Sequence, residues 1–197
     1  MAAVPRIAIF GGTFDPVHEG HLHLATLAKE ALSLDQVRFL PCKISPHKSG
    51  SRPASAEDRL EMLRRATAGL PWAEVDDFET SLTSGPSYSY ITAEIMTRRF
   101  PGASLFWIMG GDQWDALPQW KNPERLAACV EFIVLARGEA PQPRAGYRLH
   151  VVEGQHPASA SAIRAAIYSG QRPSPWLPPG VAEWIAQRNL YQKGDSE

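Results

Sequence analysis

Short apolar runs and amphipathic stretches take turns along almost the whole chain, and that order restricts the fold more than any other feature. Ile7 to Phe10, Val37 to Leu40, Ser104 to Met109, Val130 to Ala136 and Leu149 to Val152 read as buried strands, with a weak strand around Val75. Gly20 to Leu32, Glu57 to Ala68, Tyr88 to Arg99, Pro123 to Cys129, Ser159 to Ser169 and Val181 to Arg188 read as helices, and Gly170 follows the fifth of these as a C-cap. Strands that alternate with helices build a mainly parallel sheet covered on both faces, a doubly wound, Rossmann-like α/β fold. Such sheets bind ligands beyond the carboxyl ends of their strands, where the strand order reverses. Gly11-Gly12, the loop after Leu40, Gly110-Gly111 and the turn after Ala136 each follow a strand, so one site draws on four segments.

The 197 residues fit one domain, with a core over about 4–155 and a C-terminal motif and helices over about 156–192. Lys plus Arg number 20 against 21 for Asp plus Glu, and a net charge of -1 argues against a nucleic-acid partner. Cys42 and Cys129 form no CxxC pair, so reduced thiols are expected rather than a disulfide framework or thiolate zinc site. No charged leader precedes an apolar core at the start, and no apolar run approaches the ~20 residues that span a bilayer. A cytoplasmic protein with no membrane partner is the expectation, and a homo-oligomer remains open.

The string GGTFDPVHEGHL, residues 11–22, carries the strongest chemical signal. Gly11 and Gly12 allow a ligand close to the backbone as the chain passes from strand to helix. The helix start offers N–H groups and a positive dipole end, both suited to phosphate. His18 and His21, three apart around Gly20, are expected on one face, aimed at one place. His23 does not share that direction and reads as an exposed helix residue, so a protein-bound metal is not expected here.

A second string, SASAIRAAI, opens a helix with Ser159 and Ser161 and places Arg164 one turn in. Alone it is a helix cap with an exposed arginine. Beside the first string it forms a cradle for an anion from hydroxyls, first-turn amides and a guanidinium.

The first string resembles the nucleotidyltransferase signature GxFxPxHxGH, through Gly12, Phe14, Pro16, His18, Gly20 and His21. The second resembles the ISSTxIR signature of the same superfamily, through Ser159, Ser161, Ile163 and Arg164, with Ala158 and Ala160 departing from it. Other segments resemble bacterial nicotinate mononucleotide adenylyltransferases: His47-Lys48 in SPHKSG, Pro86-Ser87-Tyr88 followed by Ser89, Gly110, Asp112 and Trp120 in GGDQWDALPQW, Arg137 after FIVLA, and the tail WLPPGVAEWIAQRNLY. The resemblance implies the HIGH-type nucleotidyltransferase fold and the conversion of ATP and nicotinate mononucleotide into nicotinate adenine dinucleotide and pyrophosphate.

It also implies roles. His18 and His21 are the catalytic pair, and Gly11, Gly12, Thr13, Phe14, Gly110, Asp112, Arg137, Ser159, Ser161 and Arg164 join them around ATP. Lys43, His47, Lys48, Tyr88, Ser89 and Trp120 fall to the acceptor. Mg²⁺ is expected on the ATP phosphates with no ligand from the protein. Cys42 and Lys43 depart from the family after Pro41, and Trp114 reads equally as core packing or as a lid over the acceptor. Trp176, Trp184 and Tyr191 read as packing residues. Nicotinamide mononucleotide, phosphopantetheine or a small phosphorylated alcohol remain alternative acceptors. A catalytically silent nucleotide sensor and a tRNA-acting ligase remain alternative classes.

Overall fold

The computed structural model describes residues 3–43, 53–81, 87–136, 138, 140–171 and 175–193. Six strands form its sheet: β1 (Arg6–Gly12), β2 (Gln36–Pro41), β3 (Ala73–Val75), β4 (Ser104–Gly110), β5 (Glu131–Ala136) and β6 (Leu149–Glu153). Their order across the sheet is β3-β2-β1-β4-β5-β6, and all five pairings are parallel. The chain therefore winds outward from β1 to one edge, returns to β4, and winds to the other edge. The reversal lies between β1 and β4, where Phe10 pairs with Ile108.

Residues alternate in direction along each strand, and both faces are buried. Ala8, Phe10, Phe39, Phe106, Ile108, Ile133 and Leu135 face one core. Ile9, Leu40, Trp107, Met109, Phe132 and Val134 face the other. The first core is closed by α1 (Glu19–Ala31), α2 (Ala56–Thr67), α6 (Ala160–Tyr168) and α7 (Pro179–Gln187), through residues such as Ala28, Met62, Ile163 and Val181. The second is closed by α3 (Ser89–Arg99), α4 (Gly111–Ala116) and α5 (Pro123–Cys129), through Met96, Trp114 and Leu126. The larger of these side chains contribute roughly 1.5–3 kcal/mol each on burial. The doubly wound architecture expected from the sequence is the architecture observed.

Two local expectations need correction. Gly11 and Gly12 do not follow β1 but are its last two residues, paired with Leu40 and Pro41. What demands glycine there is close packing. A Cβ on Gly11 would lie 3.3 Å from the Trp107 ring, and one on Gly12 3.0 Å from the Phe14 ring. The segment after β4 is also more regular than its sequence suggests, because α4 and a 3-10 turn (Leu117–Gln119) fill it. That packing takes Trp114 into the core at 0 % exposure, with its Nε1–H donated to the carbonyl of Gln142 at 3.0 Å. The lid reading of Trp114 is thereby excluded.

The C-terminal helix is fastened to α2 by one carboxylate. Asp58 accepts from the Ser55 hydroxyl at 2.6 Å, from Trp184 Nε1 at 3.2 Å and from Arg188 Nε at 3.1 Å. Ser55 Oγ in turn accepts the Asp58 N–H at 3.0 Å and so caps α2. No helix among the described residues is long and apolar enough to cross a membrane.

Candidate active site

β1 delivers Gly12 to the carboxyl edge of the sheet, and the following loop buries Phe14 at φ +50°. The Phe14 ring packs edge-on against Phe10 at 5.6 Å and against His21 at 5.1 Å. His18 is the N-cap of α1 with extended backbone, rather than a residue within the helix, and His21 lies in its first turn. The two imidazoles still converge: they stack with centroids 3.8 Å apart and planes 28° from parallel. The His18 N–H donates to His21 Nδ1 at 3.2 Å. An accepting Nδ1 leaves the ring proton of neutral His21 on Nε2, where it can be donated.

Gly20 makes the convergence sterically feasible. A Cβ there would lie 3.0 Å from His18 Nδ1 and 3.2 Å from His156 Nδ1. The α1 amides contribute less than the sequence suggests. The Glu19 N–H is taken by the Trp176 carbonyl at 2.8 Å and the His21 N–H by the His18 carbonyl at 2.8 Å. His23 is exposed, as expected, and its ring lies 5.6 Å from that of His156 on the outer side of α1.

Two cavities open on either side of His21, at the reversal point of the sheet. One, of about 530 Å³, lies towards β2 and α3 and is walled by Thr13, Cys42, Glu79, Ser87, Ser89 and Trp120. The other, of about 610 Å³, lies towards β5 and is walled by Gly110, Gly111, Ala136 and Gln142. Phe10, His21, Asp112 and Gln113 line both. Ala160, at the start of α6, also lines the first cavity and brings the second motif to the histidines.

The sequence that builds this site matches a family of known proteins. The cytidylyltransferase-like family model matches residues 9–166. The chain belongs to that family. Within it, the chain groups with the nicotinate-nucleotide adenylyltransferases. A protein of Geobacillus thermodenitrificans, named a probable nicotinate-nucleotide adenylyltransferase, is 37% identical over 190 residues, which cover 94% of this chain and 86% of that one. A protein of Methylacidiphilum infernorum with the same name is 37% identical over 188 residues, covering 94% and 92%. Among solved structures, the Plasmodium falciparum nicotinic acid mononucleotide adenylyltransferase complexed with NaAD superposes with a TM-score of 0.79 at 16% identity, over 95% of this chain and 97% of that one. That likeness bears on the fold.

The remaining residues expected of this nucleotidyltransferase are distributed around the two chambers. Gly11, Gly12, Thr13 and Phe14 line the first, and Asp112 stands at the junction in the first turn of α4. Ser159 is the N-cap of α6, and its hydroxyl lies 2.8 Å from that of Ser161. Arg164 Nη1 donates to the Asp15 carbonyl at 2.6 Å and lies 3.7 Å from the Asp15 carboxylate, which ties the second motif to the first loop. Lys43 follows Cys42 at the rim, and its N–H donates to Ser87 Oγ at 3.3 Å. Ser89 and Trp120 line the first chamber. Tyr88 caps α3 between Ser87 and Ser89, and its ring carries the Lys121 ammonium at 4.7 Å instead of facing the chamber. His47, Lys48 and Arg137 lie outside the described residues.

Sequence reasoning gave no site role to several wall residues, among them Phe10, Asp15, Glu79, Trp107 and Gln113. Phe10 and Trp107 lie inside apolar strand runs, where nothing separates a cavity wall from core. Glu79 is the more informative omission. It is 4 % exposed, and the Thr92 hydroxyl donates to its Oε1 at 2.6 Å. Burial pushes its carboxyl above the usual value of 4.5, hydrogen bonds from Thr92 and Ser87 oppose that, and the Asp76 carboxylate adds to it. Asp76 is itself bound by Arg38 at 3.0 Å and Arg99 at 2.9 Å. A glutamate in a polar stretch carries no sign of burial until tertiary contacts close over it.

Proposed function

We infer that the protein transfers the adenylyl group of ATP to nicotinate mononucleotide, giving nicotinate adenine dinucleotide and pyrophosphate. The observation that carries this reading is the pair of cavities that share His21 and Asp112. Two substrates housed there would meet at the histidines, where an α-phosphorus can be attacked from one side and pyrophosphate can leave on the other.

The acceptor phosphate needs no general base, because its second pKa near ~6 leaves it mostly dianionic at neutral pH. One of its oxygens forms a bond to the α-phosphorus. The bond from that phosphorus to the bridging oxygen breaks, and its electron pair departs with pyrophosphate. No covalent intermediate on the protein is required. The difficulty is to hold two anions in line, so the protein supplies position and positive charge. His18 and His21 donate to the transferring phosphoryl group and the bridging oxygen. Arg164, with the hydroxyls of Ser159 and Ser161, takes the β- and γ-phosphates. Gly110, Asp112 and Arg137 serve the adenosine side. Lys43, His47 and Lys48 receive the acceptor phosphate, Ser89 borders its pyridine, and Trp120 offers that ring an aromatic face.

Among the described residues no three His, Cys, Asp or Glu side chains converge on a metal site. We assign Mg²⁺ to the triphosphate oxygens, because magnesium keeps much of its water and is commonly bound through substrate phosphates. When bound it would neutralise part of the phosphate charge. The cytoplasm is the setting expected for this activity, and there cysteines such as Cys42 and Cys129 stay reduced.

The test is pyrophosphate release with ATP and, in parallel, nicotinate mononucleotide, nicotinamide mononucleotide, phosphopantetheine and a small phosphorylated alcohol, with each product identified by mass. Fastest turnover on nicotinate mononucleotide is expected. A faster rate on another acceptor would reassign the substrate, and ATP binding without pyrophosphate release on any of them would leave only a nucleotide sensor.

A further inference from the structure

Arg59, in the first turn of α2, is 2 % exposed, yet no described carboxylate lies within ion-pair distance of it. Its guanidinium is spent on backbone carbonyls. Nη1 donates to Thr13 O at 2.9 Å and to Cys42 O at 2.8 Å, and Nε donates to Ala54 O at 3.1 Å. A buried charge whose described hydrogen bonds all go to neutral carbonyls is costly, and stability alone would favour a neutral side chain at this position.

The geometry of those acceptors supplies a different reason. Thr13 and Cys42 line the first chamber, which also carries Ser89 and Trp120 of the acceptor set, and they continue the adjacent strands β1 and β2, whose ends are joined by the Cys42 N–H to the Gly12 carbonyl at 2.9 Å. The neighbouring Lys43 N–H then reaches Ser87 Oγ on the far wall, at 3.3 Å. A continuous series of contacts thus runs from the glycine loop, through Arg59, to the end of β2 and on to the approach to α3. None of the carbonyls that Arg59 holds belongs to the second chamber.

We propose that Arg59 is a positioning residue for the acceptor, clasping the carbonyls of Thr13 and Cys42 so that the chamber wall they form keeps its shape beyond the last hydrogen bond between β1 and β2. The proposal rests on the two-substrate reading. It adds that one buried cation, out of reach of solvent, sets affinity for the acceptor separately from affinity for ATP. Its positive charge, held behind the chamber wall, also favours a chamber that must take an anion.

The experiment compares the full-length chain with Arg59→Met and Arg59→Lys. KM is measured for nicotinate mononucleotide and for ATP separately, and alkylation of Cys42 by iodoacetamide is followed by peptide mass, with Cys129 as the internal reference. Arg59→Met is expected to raise the acceptor KM roughly tenfold or more while the ATP KM stays within about twofold. Arg59→Lys, which keeps the charge and part of the bonding, is expected to fall between, and it carries the test if the methionine variant does not fold. Cys42 alkylation is expected to accelerate in both variants, with that of Cys129 unchanged. Equal rises in both KM values, or a lower melting temperature with neither KM moved, would overturn the proposal. If the unaltered protein does not use nicotinate mononucleotide, the functional reading fails, and the Cys42 comparison decides the clasp by itself: faster alkylation supports it and an unchanged rate overturns it.

Discussion

The hydroxyl of Tyr191 donates to Oδ1 of Asp15 at 2.7 Å, joining the segment after α7 to the loop that precedes His18 and His21. The same oxygen accepts the Ala54 N–H at 3.0 Å, and the Asp15 backbone carbonyl accepts from Arg164. Tyr191 is therefore more than the packing residue its sequence context suggests. Burial, then the neighbouring Asp15 charge, pushes its hydroxyl far above the ordinary phenol range, so it remains a donor at every working pH. Tyr191→Phe deletes a hydrogen bond to a charged group and should cost about 1.5–3 kcal/mol of stability. Urea unfolding at neutral pH measures this, and a loss within error would mean the contact is idle.

His18→Ala is expected to lower turnover far more than ATP affinity, because the role proposed for its imidazole is to meet charge that develops during transfer. Removing one such donor costs about 2.7–4 kcal/mol of transition-state stabilisation. Single-turnover kinetics beside ATP binding checks the split. Near-normal turnover in the variant would take His18 out of the mechanism.

Trp120→Ala should act on the acceptor alone. Loss of an aromatic face is worth about 0.5–1.5 kcal/mol, a rise of roughly two- to tenfold in acceptor KM. An equal rise in ATP KM would show that the ring serves the chamber junction instead.

Trp114→Ala should behave in the opposite manner. The ring is wholly buried against Phe132 and Tyr147, so truncation should cost about 3–5 kcal/mol of stability. The ratio of rates with nicotinate and nicotinamide mononucleotides should stay as it was. A changed ratio at constant fold would restore Trp114 to the acceptor side.

Glu79 links stability to pH. Its carboxyl binds a proton more tightly in the folded protein than in the unfolded chain. Stability is thus lost as pH rises from about the unfolded value through the raised folded one. Glu79→Gln removes that loss. The difference in unfolding free energy between the Glu79→Gln variant and the native protein should grow in favour of the variant from about pH 4 towards neutrality. A difference independent of pH would show that Glu79 titrates normally.

Most of the architecture was legible because it rests on periodicity. The bounds of α5 were read as they stand, and each strand was placed within two residues, since apolar runs and Gly or Pro punctuation are local signals. The histidine pair was legible for a different reason: a glycine between two imidazoles at this spacing has few other uses. α4 and the burial of Trp114 were not legible, because six residues give too little periodicity and the pocket for the indole is assembled by β5 and the Tyr147 loop. Arg59, Asp15 and Tyr191 escaped for the same reason. Each acts through backbone groups or residues far away in sequence, and no spacing rule reports such partners.

The bond from the His18 N–H to His21 Nδ1 has a lasting consequence. The main chain, which every amino acid shares, dictates which edge of the second imidazole holds its hydrogen. Replacing surrounding side chains leaves that assignment standing, so the surroundings are at liberty to diverge towards new acceptors while the donor keeps its aim.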